Sequence, residues 1–452
     1  MQGIILPLDV WNEIFNKLDL ISQLNLNSTC KYFRRNLNVL DLENVDSKIK
    51  RCISNEVLLK MRNLRLLDLS FCLKSFFSLN HLSKLEFLAL APNSVEDKEI
   101  SALVNLTYLE IPSNYNVKTL THLTKLKSLN LSRNPITNIN FLTNLKSLTL
   151  RHYGGLTEEG MEKLTQLKKL NISHNKDIKV ISHFTNLVSL DIRGIDLHDN
   201  QITPLTNLTK LVLGYSYFII KINHLTKLKI LNIECKSDFN NESIECLTNL
   251  EQLIIFGSSN IRKIKHLTGL TRLKTTNCFF ENEQFKALSN LKVLDMRDYR
   301  KHIDFGHIDI NDLIRLEKLI IYDSNFIADE HITALTNLLE LDISNGSHHI
   351  TDINHCIRLT KLSAKFECGL QNNGIKNLTK LKYLELSGNT KITDINHLVE
   401  LQYLNIRFDS AISDRHITNL TNLKELDCSG NLKIVNVSNL KNLKKLDVKY
   451  PL

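Results

Sequence analysis

The chain has 452 residues, 42% of them hydrophobic and 23% charged, a composition that suits a folded core and excludes a disordered chain. Its net charge of +9 comes from 57 basic and 48 acidic residues that are interspersed rather than gathered into tails, so nucleic-acid binding is not favoured. No stretch reaches the roughly 18 uncharged apolar residues that a membrane span needs, so no membrane insertion is expected.

The opening stretch MQGIILPLDVW has no basic leader, and Asp9 interrupts its apolar run. An intracellular protein is expected, in cytoplasm or nucleus, or in the host cell if the Lys-, Asn- and Ile-rich composition reflects a viral source. Pro7 suits a first helical turn, Asp9 suits its positive end, and Val10, Ile14 and Leu18 follow at helical spacing. Asp19 can cap a second helix bearing Leu20 and Leu24. Ser28 or Thr29 can open a third, whose Cys30, Phe33 and Leu37 share a face. Residues 1–36 are fewer than the roughly 40 that usually fold unaided, so these apolar faces need support from the rest of the chain, from a partner, or from both.

Residues 37–63 form a degenerate first repeat and connection, with LNVLDL at 37–42. From residue 64 to 452 the pattern LxxLxL recurs nineteen times, from Leu64 to Leu443, mostly 19 to 22 residues apart. Alternation across LxL turns two leucines inward and the residue between them outward on a short strand. One repeat cannot close a core, but stacked repeats can join their strands into a parallel sheet over a continuous apolar interior. Repeats this short predict extended segments and single helical turns on the return path. Asn93, Asn114, Asn134, Asn175, Asn389 and Asn431 hold a turn position where an amide can satisfy buried backbone groups, and Cys72 and Cys278 hold it elsewhere.

The period and spacing resemble leucine-rich repeats. Stretches such as LTKLKSLNLSRNPITNINFLTNL (residues 123–145) resemble the short internalin-like type, and ADEHITALTNL (residues 328–338) resembles the repeats of F-box and leucine-rich-repeat proteins. The resemblance implies a right-handed α/β solenoid with its parallel sheet on the concave face. At the N-terminus, Leu6, Pro7, Val10, Ile14, Phe15, Leu18, Leu20, Leu24, Cys30 and Phe33, with Lys31 and Arg34, are similar to an F-box. In that family the motif docks on a Skp-type adaptor and through it on a cullin, while the repeats hold the protein to be ubiquitinated. The resemblance therefore implies a non-catalytic substrate receptor of an SCF-type ubiquitin ligase. The alternative is a stand-alone repeat scaffold whose N-terminal helices only cap the solenoid.

Candidate target contacts are the outward residues that follow LxxLxL: Arg151, His152, His174, Arg193, Tyr215, Phe256, Arg297, Tyr322, Lys365, Phe366, Arg407 and Phe408. Arginine and aromatic side chains dominate interface hot spots. The repeat opening at Leu291 is 25 residues long, and its insertion RDYRKHIDFGH adds Tyr299 beside Arg297, which suggests an acidic or phosphorylated target held there. Seven histidines, His81, His122, His183, His224, His266, His355 and His397, recur in one register; backbones about 10 Å apart are too distant to share a metal, so a structural role is expected. Lysines after the first leucine, such as Lys127 and Lys229, read as a solvated rim. The nine cysteines lack a CxxC pair, and Cys246, Cys356 and Cys428 read as reduced core thiols. No catalytic motif and no cofactor signature is present.

Overall fold

In the computed structural model, the described residues are 22–23, 41–42, 53–59, 61–72, 77–234, 239–257, 260–278, 280–297, 308–322 and 326–448. They fall in two compact units, 1–208 and 209–452. Both are built the same way.

The first unit contains strands β1 (Asp41–Leu42), β2 (Leu66–Leu69), β3 (Phe87–Leu90), β4 (Tyr108–Glu110), β5 (Ser128–Asn130), β6 (Ser147–Thr149), β7 (Lys169–Asn171) and β8 (Ser189–Asp191). Each pairs in parallel with the next, and the pairing keeps one leucine in line: Leu42 with Leu67, then Leu88, Leu109, Leu129, Leu148, Leu170 and Leu190. Asp41–Leu42, the end of LNVLDL, is thus the first strand of the described array. The second unit runs from β9 (Lys210–Leu213) through β10 (Ile230–Glu234), β11 (Gln252–Phe256), β12 (Arg272–Thr276) and β13 (Val293–Arg297) to β14 (Lys318–Ile320) and β15 (Glu340–Asp342). It continues through β16 (Lys361–Ser363), β17 (Tyr383–Glu385), β18 (Tyr403–Asn405) and β19 (Glu425–Asp427) to β20 (Lys445–Asp447), again in parallel with leucine opposite leucine from Leu211 to Leu446. Register slips are costly here, because a shift by one residue would turn every inward leucine outward.

The return path follows a period of three rather than two. In each repeat two tight turns succeed one another, as in Leu123 N–H to Leu120 C=O at 2.9 Å and Leu126 N–H to Leu123 C=O at 3.1 Å. Side chains three apart are eclipsed in such turns, so Leu120, Leu123 and Leu126 all face the core and are fully buried. The helical turns are short, as the repeat length predicts: Asp97–Ile100, Asp199–Ile202 and Asn241–Ile244, with 3-10 turns such as Asn372–Ile375.

Asparagines tie neighbouring repeats together. Asn175 Nδ2 donates to Leu150 C=O at 3.1 Å and Asn389 Nδ2 to Ala364 C=O at 2.7 Å, while Asn389 Oδ1 accepts from Lys391 N–H and Ile392 N–H. Asn93 departs from the expectation: it is exposed, and Ser94 fills the buried position. The position before the buried residue is normally left-handed, as at Arg133 before Asn134, and Pro92 cannot adopt positive φ; the turn slips by one residue, so Asn93 carries it at φ 51°. Asn114, in the next repeat, is buried with its Nδ2 unpartnered, and the carbonyl that the register offers it, that of Leu90, belongs to the displaced turn. The NLT triplets also serve the stack, for Asn105 Nδ2 donates to Ser83 C=O at 2.9 Å and Asn207 Nδ2 to Thr185 C=O at 3.1 Å.

Cys356 and Cys428 are buried core thiols, and burial pushes the Cys356 thiol up to about 12. Cys246 is exposed, a correction that the period of three explains: Ile244, Leu247 and Leu250 face inward, which turns residue 246 outward. Four of the seven histidines cap a helical turn of the preceding repeat. His81, His122, His266 and His397 donate from Nε2 to the carbonyls of Leu58, Ile100, Ile244 and Ile375 at 3.0 to 3.2 Å. In His183, His224 and His355 the same nitrogen is buried without a partner.

Candidate target-binding face

The ten candidate adaptor contacts, Leu6, Pro7, Val10, Ile14, Phe15, Leu18, Leu20, Leu24, Cys30 and Phe33, lie outside the described residues, as does Tyr299 in the long insertion. The other twelve candidates are all described, and the strands sort them into three groups.

In the first unit, β6, β7 and β8 deliver Arg151, His152, His174 and Arg193 to one end of the sheet. His152 and His174 occupy the left-handed position of their turns, with φ of 62° and 60°, and their rings stack at 5.5 Å between centroids. Gly194 holds the same position one repeat on. A Cβ there would lie 2.4 Å from His174 Nδ1, so the absent side chain makes room for the imidazole. Arg193 clamps Asp191 with two hydrogen bonds of 3.1 and 2.8 Å. Burial, and then the positive charges of Arg133, His174 and Arg151, hold the His152 pKa below its ordinary value.

In the second unit, Tyr215 is left-handed and exposed near β9. Phe256 on β11 lies 5.1 Å under the Lys274 ammonium, which also reaches Asp295 at 3.5 Å. Arg297 forks onto the same Asp295 at 2.8 and 3.1 Å, with that carboxylate side chain only 8% exposed. Arg297 is therefore part of a compensated cluster, and an incoming phosphate would have to compete with Asp295 for it. Tyr322 Oη accepts a hydrogen bond from Asn345 Nδ2.

The third group is aromatic. Phe366 and Phe408, left-handed at φ 54° and 61°, stack at 6.3 Å, and Arg407 covers Phe408 at 5.1 Å while lying 3.8 Å from Asp427. Lys365 pairs with Glu385 at 2.8 Å; burial opposes the Lys365 charge, but the pair outweighs burial and leaves the lysine pKa raised. For Glu385 burial pushes upward, yet the hydrogen bonds from Lys365 and Tyr383 hold its pKa below the usual range.

Reading only the residues after the motif misses part of this face. Tyr383 and Tyr403, one position before the inward leucine, stack at 4.0 Å, and Lys361 caps Tyr383 at 4.5 Å. Alternation along a strand places them on the same side as Glu385 and Asn405, so the signal was present in the register. Tyr115, Arg133 and Tyr153 were also missed; they gather with His152 around a shallow cleft of about 660 Å³ in the first unit.

Among the described residues no cluster of His, Cys, Asp and Glu has the makings of a metal site, and no helix is long and apolar enough to cross a membrane. Comparison with curated protein sequences finds no match. Among solved structures, the chain is similar to the TLR13–ssRNA13 complex, with a TM-score of 0.59 and 22% identity over 88% of this chain and 64% of that one. It thus spans less than two-thirds of that neighbour. The mouse RP105/MD-1 complex gives a TM-score of 0.50 and 17% identity over 81% of this chain and 78% of that one. A Leptospira interrogans LRR protein gives 0.37 and 22%, over 94% and 98%. At these identities the likeness concerns the fold alone. Residues 4–42 match the F-box domain family. The chain combines an F-box match at residues 4–42 with a leucine-rich-repeat solenoid.

Proposed function

We propose that this protein is a substrate receptor of an SCF-type ubiquitin ligase. Its F-box holds a Skp-type adaptor and through it a cullin, its repeats hold a target protein, and the ubiquitin transfer itself belongs to the partner subunits. The observation that carries this reading is the continuity of the two parts. The F-box match runs to residue 42, and its last two residues, Asp41–Leu42, are β1, paired in register with β2. A receptor that acts by proximity needs its adaptor-binding and target-binding parts in one chain, and here the end of one is the first strand of the other. Such a receptor works where its adaptor is, in cytoplasm or nucleus.

The outward sheet face supports target binding because it offers aromatic rings and ion-paired charges that are already ordered, which lowers the entropy lost on association. The experiment is co-purification of the tagged full chain from eukaryotic cells, with wild type beside Leu6→Ala, Pro7→Ala. Wild type should capture a Skp-type adaptor and the double variant should lose it, with an unchanged melting curve for the repeats. Capture by neither, or equally by both, would leave the stand-alone scaffold as the better reading.

A further inference from the structure

The candidate cations on the sheet face are not alike. Arg193, Arg297, Lys365 and Arg407 each lie against a carboxylate of their own or a neighbouring strand. Among the described residues, the guanidinium groups of Arg133 and Arg151 have no such partner, and both are exposed. Both bear on His152, whose ring stacks on His174. The charged groups that bear on His152 are all cationic: Arg133 from the preceding repeat, Arg151 from its own, and His174 from the next. Asp191, the nearest strand carboxylate on that side, is committed to Arg193, and Glu110 on β4 is bonded to Tyr108 and Asn130.

The backbone at the same place is left-handed. Arg133, His152 and His174 take the left-handed position in three successive repeats, at φ 55°, 62° and 60°, where glycine serves in the repeat that follows and in several others. Glycine would relieve both the strain and the repulsion. Left-handed residues with a Cβ recur elsewhere in the array, so what sets this place apart is exposed cationic side chains with no internal counter-charge beside a cleft, and uncompensated charge there favours a ligand of opposite charge. Tyr115 and Tyr153, both exposed, flank the cleft and bring hydroxyl donors, while Gly155 is packed so tightly that a Cβ would lie 2.3 Å from Pro135 C=O.

Resting on the receptor reading above, we propose that a phosphate monoester carried by the target protein is bound at this cleft, where the lining residues Arg133 and His152 supply a permanent cation and a donor, and where Arg151, which bears on His152, supplies a second cation. Two fixed charges exceed what one carboxylate can neutralise, whereas a phosphate monoester carries close to two charges and three acceptor oxygens at neutral pH. Exposed tyrosines can pack against the peptide around it.

The test uses the full chain with isotope-labelled histidine rings, titrated by NMR in inorganic phosphate or in chloride of equal ionic strength; His152 is identified by the signal lost in His152→Gln. Phosphate should move the His152 titration to higher pH, because a bound dianion replaces repulsion with attraction. O-phosphoserine should do the same and free glutamate should not. Arg133→Gly together with Arg151→Ala should weaken the phosphate response about tenfold or more, the loss expected for charge-assisted hydrogen bonds. Glycine suits the left-handed backbone at 133, so a folding defect will not mimic this loss, and the melting curve will show it. An unchanged His152 titration overturns the proposal, as does an equal response to glutamate or an undiminished response in the variant. Retention of single-stranded RNA without any response to phosphate or phosphoserine also overturns it, in favour of a nucleic-acid ligand. Neither adaptor nor target enters this titration, so its failure leaves the receptor reading to the co-purification experiment.

Discussion

Left-handed backbone costs a residue with a Cβ about 1–2 kcal/mol, and among the described residues ten non-glycine positions adopt it, nearly all at the exit of a strand. Where the residue is Asn, a short polar side chain lessens the penalty, and histidine too tolerates this region better than most, but Tyr215, Phe366 and Phe408 bear it with bulky rings. The rings are placed by this conformation, and His174 and Phe366 each lie over the glycine of the next repeat. Histidine has a second use at residue scale. A ring that caps a carbonyl through Nε2, as His122 does, is satisfied, but the same nitrogen of His183 is buried and unpartnered. Burial lowers the His183 pKa from its ordinary 6.5, and only Glu162 opposes this. The unfolded chain therefore binds this proton more readily than the folded one. Its contribution to stability is fully present above pH 6.5 and is lost as pH falls through that value toward the depressed folded pKa. His152 and His416 shift in the same direction. Chemical denaturation from pH 7 to 5, the range over which an ordinary imidazole of pKa 6.5 takes up its proton, should show falling stability, and His183→Leu should flatten part of that slope. A slope identical in the variant would mean that His183 does not carry it.

At the scale of the element, each repeat combines two periods. Three-residue turns bring Ile and Leu inward along the return path, and the two-residue alternation of the strand finishes the ring of apolar side chains. Neither half buries itself, so the unit of stability is the interface between repeats rather than the repeat. Leu211 on β9 is fully buried and lies opposite Leu231 in the register. Leu211→Ala should cost roughly 2–5 kcal/mol, because a packed interior cannot collapse around the missing atoms. Hydrogen exchange should quicken in β9 and β10 before distant strands respond. A melting curve and exchange pattern matching wild type would show that the repeat interfaces tolerate cavities far better than this packing suggests.

On the scale of the whole molecule, the proposed receptor needs two parts of one chain to do different work. The face most suited to a partner in the second unit is aromatic rather than cationic: Phe366 and Phe408 remain 44% and 43% exposed although large and apolar, and the charges around them are already paired. Phe366→Ala with Phe408→Ala keeps a Cβ at both left-handed positions, so the backbone penalty is little altered and the rings alone are lost. Target recovery in the co-purification should drop severalfold while adaptor recovery stays unchanged. Equal target recovery would move the search to the cleft of the first unit or to the return path.

Sequence alone determined the repeat and the inward leucines, because burial in a stack imposes the same spacing nineteen times and leaves little freedom in where each strand begins. It also determined the F-box resemblance, since Leu6-Pro7 and the apolar residues after it stand in a local order that needs no distant contact to be read. Single deviations inside the pattern were not legible. Asn93 holds the right place in the count, yet Pro92 beside it forbids positive φ and hands the buried position to Ser94; Cys246 looked like a core residue until the period of three turned it outward. The site was decided by tertiary structure almost entirely. Arg297 and Arg133 are equally basic in a sequence, and only the fold sets a carboxylate against the first and the imidazole of His152, from the next repeat, near the second, because residues some 20 apart become neighbours when repeats stack.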